Sequence, residues 1–237
     1  MIWTISDLHL SHAHPKPMDI FGAHWRDHAT RIATAWRARV APDDWVLIAG
    51  DISWALKLAD ALVDLRWIDA LPGRKVLIRG NHDYWCQRKV GSMRRHMPPS
   101  LNLIGADAFD LGSAVACGTR GWVTPEMPGY DAVTDEPIYR RELGMLDRAI
   151  AHGQQLAANK RPLIIMLHYP PFVNQQPTEF AHRIAASGAS ACIYGHLHRV
   201  HDHQNAINHT INGVAYQLTS ADFIGFGPVA VRGLNSV

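Results

Sequence analysis

The stretch KVLIRGNHDYW, residues 75–85, places a glycine, an amide, an imidazole and a carboxylate directly behind a short apolar run. The run has the length and composition of a buried β-strand. Gly80 and Asn81 are common turn residues, and we predict that Asp83 caps a helix that follows. A turn and a cap would account for the stretch if it stood alone. Its role therefore depends on partners elsewhere in the chain.

Similar apolar runs recur along the sequence. They are MIWTIS (1–6), WVLIAG (45–50), LNLIG (101–105), AVACGT (114–119), PLIIML (162–167) and ACIYG (191–195), with sheet also expected in 213–220 and 228–233. Because their apolarity is continuous rather than alternating, we expect strands buried on both faces. Helical spacing of apolar residues lies between them, at 24–40, 58–68 and 143–150. The pattern predicts one layered α/β domain over residues 1–237, with two sheets covered by helices.

Composition restricts the class of partner. The chain has 237 residues and 23 basic against 21 acidic side chains, a balance that gives no strong signal for nucleic acid and none for a membrane surface. The local basic cluster at 87–96 is interpreted as a solvated helix face. An odd number of scattered cysteines, three in all, favours a reducing compartment. With no signal-peptide pattern and no apolar run of about 20 residues, we expect a cytoplasmic protein. The sequence does not indicate an oligomeric state.

Metal-capable side chains follow five of the predicted strands. They are Asp7 and His9, then Asp51, then Asn81 with His82, then His168, and finally His196 with His198. The carboxyl ends of strands in open α/β sheets line one crevice, so these residues should meet at one edge. Two i, i+2 pairs, Asp7/His9 and His196/His198, would each present both side chains to one face if their backbone is extended.

Seven of these side chains are more donors than one metal ion requires. Two ions that share Asp51 would use them all, and imidazole with carboxylate and no thiolate suits Mn, Fe, Zn or Ni. Two divalent ions, two aspartates and a bridging hydroxide leave a net positive site. Such a site attracts an anion, and paired metals suit displacement at phosphorus. The sequence therefore predicts a dinuclear phosphoester centre.

The ordered motifs D-x-H, GD, GNHD, H and GHLH resemble those of the calcineurin-like metallophosphoesterases, in a bacterial branch of predicted phosphohydrolases. The resemblance implies a four-layer α/β/β/α sandwich with mixed sheets and two divalent ions, with Mn the first choice in vitro. It also implies a role for His82 outside the metals, where it stabilises or protonates the leaving group. The implied ligands are Asp7, His9, Asp51 and His198 for one ion, and Asp51, Asn81, His168 and His196 for the other.

One position departs from the phosphoprotein phosphatases of this superfamily, which read GDxxD. Here the motif is GDISW, so Trp54 stands where the second aspartate would pair with the GNH histidine. Asp83 is the alternative partner for His82, although a helix cap is the first expectation for it. The departure argues against a protein phosphatase. Nearby cations should lower the pKa of His82, so proton donor and neutral hydrogen-bond donor both stay open.

Other residues offer candidates for substrate binding. Arg120 is predicted to hold a phosphate oxygen, with a surface arginine as the equal alternative, and Arg141 is a weaker candidate of the same kind. The Pro- and Gly-containing excursion 122–137 should narrow the mouth of the site. Aromatic residues beside the motifs could wall a pocket or belong to the core: Trp54, Trp85, Trp122 and Tyr169.

These features predict a hydrolase of small phosphodiesters or phosphomonoesters. The alternatives are a non-catalytic scaffold of the same fold, a nuclease or a pyrophosphohydrolase. A scaffold should lack ligands, whereas every ligand position here is filled. A nuclease should show a basic tract.

Overall fold

The structure is a computed structural model that describes residues 1–86, 90–158 and 160–234. Residues 87–89, which begin the predicted basic helix face, lie outside the described residues. The strands are β1 (Ile2–Ile5), β2 (Trp45–Ala49), β3 (Arg74–Ile78), β4 (Leu101–Leu103), β5 (Asp107–Asp110), β6 (Val115–Gly118), β7 (Leu163–Met166), β8 (Phe172–Val173), β9 (Gln176–Pro177), β10 (Ala191–Tyr194), β11 (Thr210–Ile211), β12 (Val214–Leu218) and β13 (Val229–Ala230). The α-helices are α1 (His28–Arg39), α2 (Leu58–Asp69), α3 (Val90–Met93), α4 (Glu136–Ala157), α5 (Glu179–Ala186) and α6 (Val200–Asn205).

Two mixed sheets organise these strands. The first, sheet I, has the order β13-β1-β2-β3-β4, and the second, sheet II, has the order β11-β12-β10-β7-β6-β5. The inner strands of both sheets run parallel, while β13, β11 and β5 pair antiparallel at the edges. Strands β8 and β9 form a small separate hairpin. The prediction of mixed sheets is confirmed.

Alternate residues of the inner strands face different apolar clusters. In β2, Val46 and Ile48 pack in a cluster with α1 and α2, whereas Leu47 packs in a cluster drawn from both sheets. In β7, Ile164 joins that shared cluster, whereas Ile165 packs with residues of α4 and α5. Helix, sheet, sheet and helix therefore stack as four layers, and the prediction of strands buried on both faces is confirmed.

The predicted helices are present with adjusted ends. The spacing at 143–150 lies inside the longer α4, which begins at Glu136 and carries a proline in its first turn. The excursion predicted for 122–137 therefore ends two residues earlier than expected. Its two ends are joined, because the Trp122 indole donates to Asp135 at 3.0 Å. In the described part of the chain, no helix combines the length and apolarity needed to cross a bilayer.

Candidate metal centre

The seven predicted donors lie beyond the carboxyl ends of five strands. Strands β1, β2 and β3 are neighbours in sheet I, and β7 and β10 are neighbours in sheet II. Sheet I carries the two aspartates, His9 and Asn81, and sheet II carries the other three histidines. The two sheets therefore bring their donors to one shared edge, as the strand-end rule predicts.

The backbone at this edge is left-handed at four of the seven positions. The φ angles are 56° at Asp7, 46° at His9, 51° at Asp51 and 73° at His196. The expectation that the i, i+2 pairs stand on extended backbone is therefore wrong. At these pairs the backbone has already turned away from the direction of the strand. Each non-glycine residue in the left-handed region costs about 1–2 kcal/mol. Backbone hydrogen bonds hold the turns, such as Asp7 N–H to the Gly50 carbonyl at 2.9 Å.

Glycines let the turns approach the side chains closely. A Cβ built at Gly80 would lie 2.0 Å from Asp51 Oδ1, and one at Gly195 would lie 2.2 Å from Asp7 Oδ2. Neither position has room for a side chain. The two glycines thus set how tightly the carboxylates are enclosed.

One group of donors consists of Asp7, His9 and His198. Their ligand atoms all lie within 4.8 Å of one another. His9 Nε2 is 3.4 Å from His198 Nε2, and His198 Nε2 is 3.3 Å from Asp7 Oδ1. Two imidazole nitrogens and a carboxylate oxygen thus converge on one point.

A second group consists of Asn81, His168 and His196. Asn81 Oδ1 lies 2.6 Å from His168 Nε2 and 2.9 Å from His196 Nδ1. The two histidine nitrogens are 3.3 Å apart. The i, i+2 pair His196/His198 is therefore divided between the two groups.

Asp51 lies between the groups. Its Oδ2 is 3.8 Å from His9 Nε2 and 3.4 Å from His168 Nε2. Its Oδ1 accepts the backbone N–H of His82 at 2.8 Å. Asp51 thus lies close to one histidine of each group.

The charges at this edge fit bound cations. Asp7 and Asp51 are both buried, and burial together with the Asp7 and Asp83 carboxylates raises the pKa of Asp51 well above its usual range. Burial lowers the pKa of His168 to about 4 and that of His196 to about 3. Neutral imidazole is the form that binds a metal, and buried like charges are stabilised by cations. The donor set thus fits divalent transition metals.

Outer partners orient two of the imidazoles. His168 Nδ1 lies 3.0 Å from the Ala49 carbonyl, and His198 Nδ1 lies 3.0 Å from Asp222 Oδ1. Such partners fix the tautomer that presents the other nitrogen to a metal. Asp222 was not predicted from the sequence. It follows the end of β12 in sheet II, so the strand-end rule could have found it.

His82 lies at the rim of the first group. Its ring is 4.3 Å from the Trp54 ring and 5.7 Å from the His9 ring. Partial burial, together with Lys16, lowers the pKa of His82. Lys16 Nζ stands 3.5 Å above the Trp54 ring. An aromatic ring and a cation thus surround His82 where a phosphatase aspartate would stand, which favours its neutral form.

The prediction that Asp83 caps the following helix is wrong. Asp83 Oδ1 accepts the backbone N–H groups of Ile52 at 2.9 Å and Ser53 at 3.1 Å, and the Trp85 indole at 2.9 Å. Its Oδ2 accepts the N–H of Gly80 at 2.7 Å. The side chain therefore ties the loop after β2 to the loop after β3. Asp51 and Asn81 lie in those two loops. Asp83 therefore helps to fix the positions of two candidate metal ligands.

Arg120 is not a surface arginine. Its side chain is 11% exposed, and Nη2 lies 3.3 Å from Glu142 Oε1. The guanidinium stacks on Trp122 at 4.2 Å. Its backbone carbonyl accepts the N–H groups of His168 and Tyr169, both at 3.0 Å. Arg120 therefore lies inside the fold, next to the segment that carries His168.

The aromatic candidates divide into two kinds. Trp54 stacks on His9 at 4.9 Å, and Tyr169 lies 4.3 Å from the His196 ring, so each borders one donor group. Trp122 lies behind Tyr169 at 5.6 Å. Trp85 is 4% exposed and belongs to the core between sheet I and its helices.

The comparisons with known proteins agree with this geometry. The family model of the calcineurin-like phosphoesterases matches residues 1–200, so the chain belongs to the calcineurin-like phosphoesterase family. The resemblance predicted from the motifs is confirmed. The family comprises metal-dependent phosphoester hydrolases, and the described residues supply a matching donor set.

Individual relatives share parts of the chain. The Gene 66 protein of Mycobacterium phage L5 is 40% identical over 81 residues, which is 34% of this chain and 39% of the phage protein. The [acyl-carrier-protein] phosphodiesterase PptH of Mycobacterium tuberculosis is 29% identical over 131 residues, or 54% of this chain and 31% of PptH. The chain thus matches less than half of the length of these relatives.

A solved structure shows the same fold. The crystal structure of phosphopantetheinyl hydrolase (PptH) from Mycobacterium tuberculosis superposes with a TM-score of 0.52 at 15% sequence identity. The match covers 92% of this chain and 88% of that structure. At this identity the likeness is one of fold, and it agrees with the four-layer architecture.

Proposed function

We propose that this chain is a metal-dependent phosphoester hydrolase that acts on a small phosphodiester or phosphomonoester through a dinuclear centre. The observation that carries the proposal is the convergence of six donors in two groups that both contact a seventh, Asp51. One ion would be held by Asp7, His9, Asp51 and His198. The other would be held by Asp51, Asn81, His168 and His196.

The protein's own groups prepare the reaction. When bound, two divalent ions supply positive charge and an activated water for attack at phosphorus. Asp222 and the Ala49 carbonyl keep His198 and His168 in the tautomers that face the centre. His82, at the rim and outside both groups, is placed to donate a hydrogen bond to the leaving oxygen. Its lowered pKa favours a neutral donor over a proton-carrying acid.

A phosphodiester is the preferred substrate class. PptH is named as a phosphodiesterase and as a phosphopantetheinyl hydrolase. The family match and the placement of Trp54 where protein phosphatases carry an aspartate support a small ester over a phosphoprotein. Trp54, half-buried beside the first group, offers an apolar surface to the organic part of the ester.

Metal content tests the dinuclear proposal. Wild-type protein supplied with Mn²⁺ should retain two ions per chain by elemental analysis. Asp51→Asn should weaken both sites, whereas His9→Ala should weaken mainly one. The exposed His209 offers a matched control, since His209→Ala should keep both ions. A wild-type stoichiometry at or below one would contradict the proposal.

Turnover tests the substrate class. The Mn²⁺-loaded protein should hydrolyse bis(4-nitrophenyl) phosphate or a small phosphomonoester faster than a phosphopeptide, with Zn²⁺, Fe²⁺ and Mg²⁺ compared in parallel. Asp51→Asn should lose this activity. Faster turnover of the phosphopeptide than of every small ester would overturn the proposed substrate class.

A further inference from the structure

Three arginines share one buried carboxylate beside the candidate metal centre. Glu142, on α4, is fully buried, and its Oε2 accepts the Thr119 hydroxyl at 2.7 Å. The other oxygen, Oε1, lies 3.3 Å from Arg120, 3.5 Å from Arg141 and 3.9 Å from Arg79. We call these three side chains the arginine cluster.

The arginine cluster carries more positive charge than Glu142 balances. Three guanidiniums against one carboxylate leave two positive charges. In the described part of the chain, no other carboxylate forms an ion pair with any of them. One carboxylate oxygen also cannot satisfy three guanidiniums, each with five N–H donors. Arg120 Nε is buried without a hydrogen-bond partner in the described structure.

The chain places the arginine cluster next to the metal ligands. Arg79 stands two residues before Asn81 at the end of β3. The Arg120 carbonyl accepts the N–H of His168 at 3.0 Å. The side chain of Arg141 is 56% exposed, so the cluster is open to solvent on one side. The charge excess therefore lies beside the half of the centre that contains Asn81 and His168, and a ligand can reach it.

We propose that Arg79, Arg120 and Arg141 form a subsite for a second phosphoryl group of the substrate, one that is not cleaved. Two uncompensated positive charges match a phosphate dianion, and guanidinium groups recognise phosphate through paired hydrogen bonds. Glu142 holds the three side chains together without neutralising them. This inference rests on the proposed hydrolase function and narrows its substrate to an ester that carries a separate phosphate.

Calorimetric titration with uncleavable ligands tests the subsite directly. Phenylphosphonate carries one phosphoryl group, and propane-1,3-bisphosphonate carries two. Mn²⁺-loaded wild type should bind the bisphosphonate about tenfold or more tightly than phenylphosphonate, the scale of one charged contact. Arg141→Ala should lower that ratio at least about fivefold, since it removes one guanidinium and leaves two for Glu142.

Arg140 provides the matched control. It neighbours Arg141 on α4 but pairs with Glu136 and is 69% exposed. Arg140→Ala should keep the wild-type ratio. If Arg141→Ala behaves like Arg140→Ala, the subsite is refuted. If Arg141→Ala weakens both ligands equally, the arginine cluster binds the cleaved phosphate and the proposal is also refuted.

Hydrolysis is scored separately from these titrations. Failure of wild type to hydrolyse any small ester would count against the proposed function. The bisphosphonate ratio needs no turnover, so it still reports on the subsite in that case.

Discussion

The side chain of His82 lies beside the candidate metal centre. Among the described residues, no carboxylate and no other imidazole nitrogen lies within hydrogen-bond distance of its ring. The neighbouring rings are Trp54 at 4.3 Å, His9 at 5.7 Å and Tyr84 at 6.1 Å between centroids. A group in this position can act on the leaving oxygen without holding a metal. Its contribution should therefore appear in turnover and not in metal content.

We expect His82→Ala to lower kcat about 10²–10⁴-fold on an ester with a poor leaving group, the range for a lost general acid or donor. Both metal ions should remain by elemental analysis. A nitrophenyl ester should be much less affected, because its leaving group is stable as an anion and depends little on a hydrogen-bond donor. Near-wild-type turnover of the poor-leaving-group ester would contradict the assigned role.

Single residues show where sequence reasoning succeeds and where it stops. The carboxyl ends of the parallel strands lie at one edge of the fold. The proximity of Asp7, Asp51 and His168 could therefore be predicted from their positions just after strands. The left-handed backbone at Asp7 did not, since strand periodicity says nothing about the turn behind it. Asp83 was predicted to be a helix cap, and this prediction failed. Its actual partners, Ile52 and Ser53, lie in the loop after β2, far from it in the sequence, so local sequence patterns do not reveal them.

Lys75 opens the apolar run of β3 and ties three elements together. Its ammonium donates to the carbonyl of Leu71, just beyond α2, and lies 3.1 Å from the hydroxyl of Ser100, just before β4. Burial lowers its pKa from 10.5 to about 8. The folded protein therefore releases this proton before the unfolded chain does.

The depressed pKa predicts a pH-dependent stability. Between about pH 8 and 10.5 the unfolded chain binds the Lys75 proton and the folded protein does not, so unfolding takes up a proton. The free energy of unfolding of the wild type, relative to that of Lys75→Met, should rise with pH across this window. The gain is roughly 3 kcal/mol at most, at about 1.4 kcal/mol per pH unit. Urea unfolding of both metal-free proteins at several pH values measures it. A flat difference would show that Lys75 keeps an ordinary pKa.

Strands with an uninterrupted apolar sequence were easier to predict than strands without one. Strands β2, β7 and β10 are buried on both faces and apolar throughout, and β3 is so from Val76 onward. Strand β5 has the sequence DAFD and pairs at the edge of sheet II, where one side of the strand has no partner among the described residues. An edge strand does not need a continuous apolar run. Strand β5 has none, so the sequence pattern did not predict it.

The candidate metal centre combines side chains from both sheets of the molecule. Sheet I supplies Asp7, His9, Asp51 and Asn81, and sheet II supplies the remaining histidines. A bound ion therefore contacts both sheets and should stabilise the folded state against their separation. The unfolded chain offers no such arrangement of donors.

We expect bound Mn²⁺ to raise the melting temperature. At a free concentration about 100-fold above the dissociation constant, each bound ion adds about 2.7 kcal/mol, or about 5–10 °C for a chain of this size. Scanning calorimetry with Mn²⁺ and with a chelator measures the shift. Asp51→Asn should show a much smaller shift, and His209→Ala should show the full one. An unchanged wild-type melting temperature would argue against ions shared between the sheets.

The apolar cluster between the sheets has a consequence for catalysis. Leu47 from sheet I and Ile164 and Ile193 from sheet II belong to one cluster, which sets how far the sheets stand apart. Since the candidate donors extend from both sheets, that spacing would also set the separation of the two proposed ions. A substitution that adds or removes one methyl group in this cluster could therefore change the metal preference and the reaction rate without altering a ligand. Natural variation among relatives need not touch the ligands to alter the chemistry.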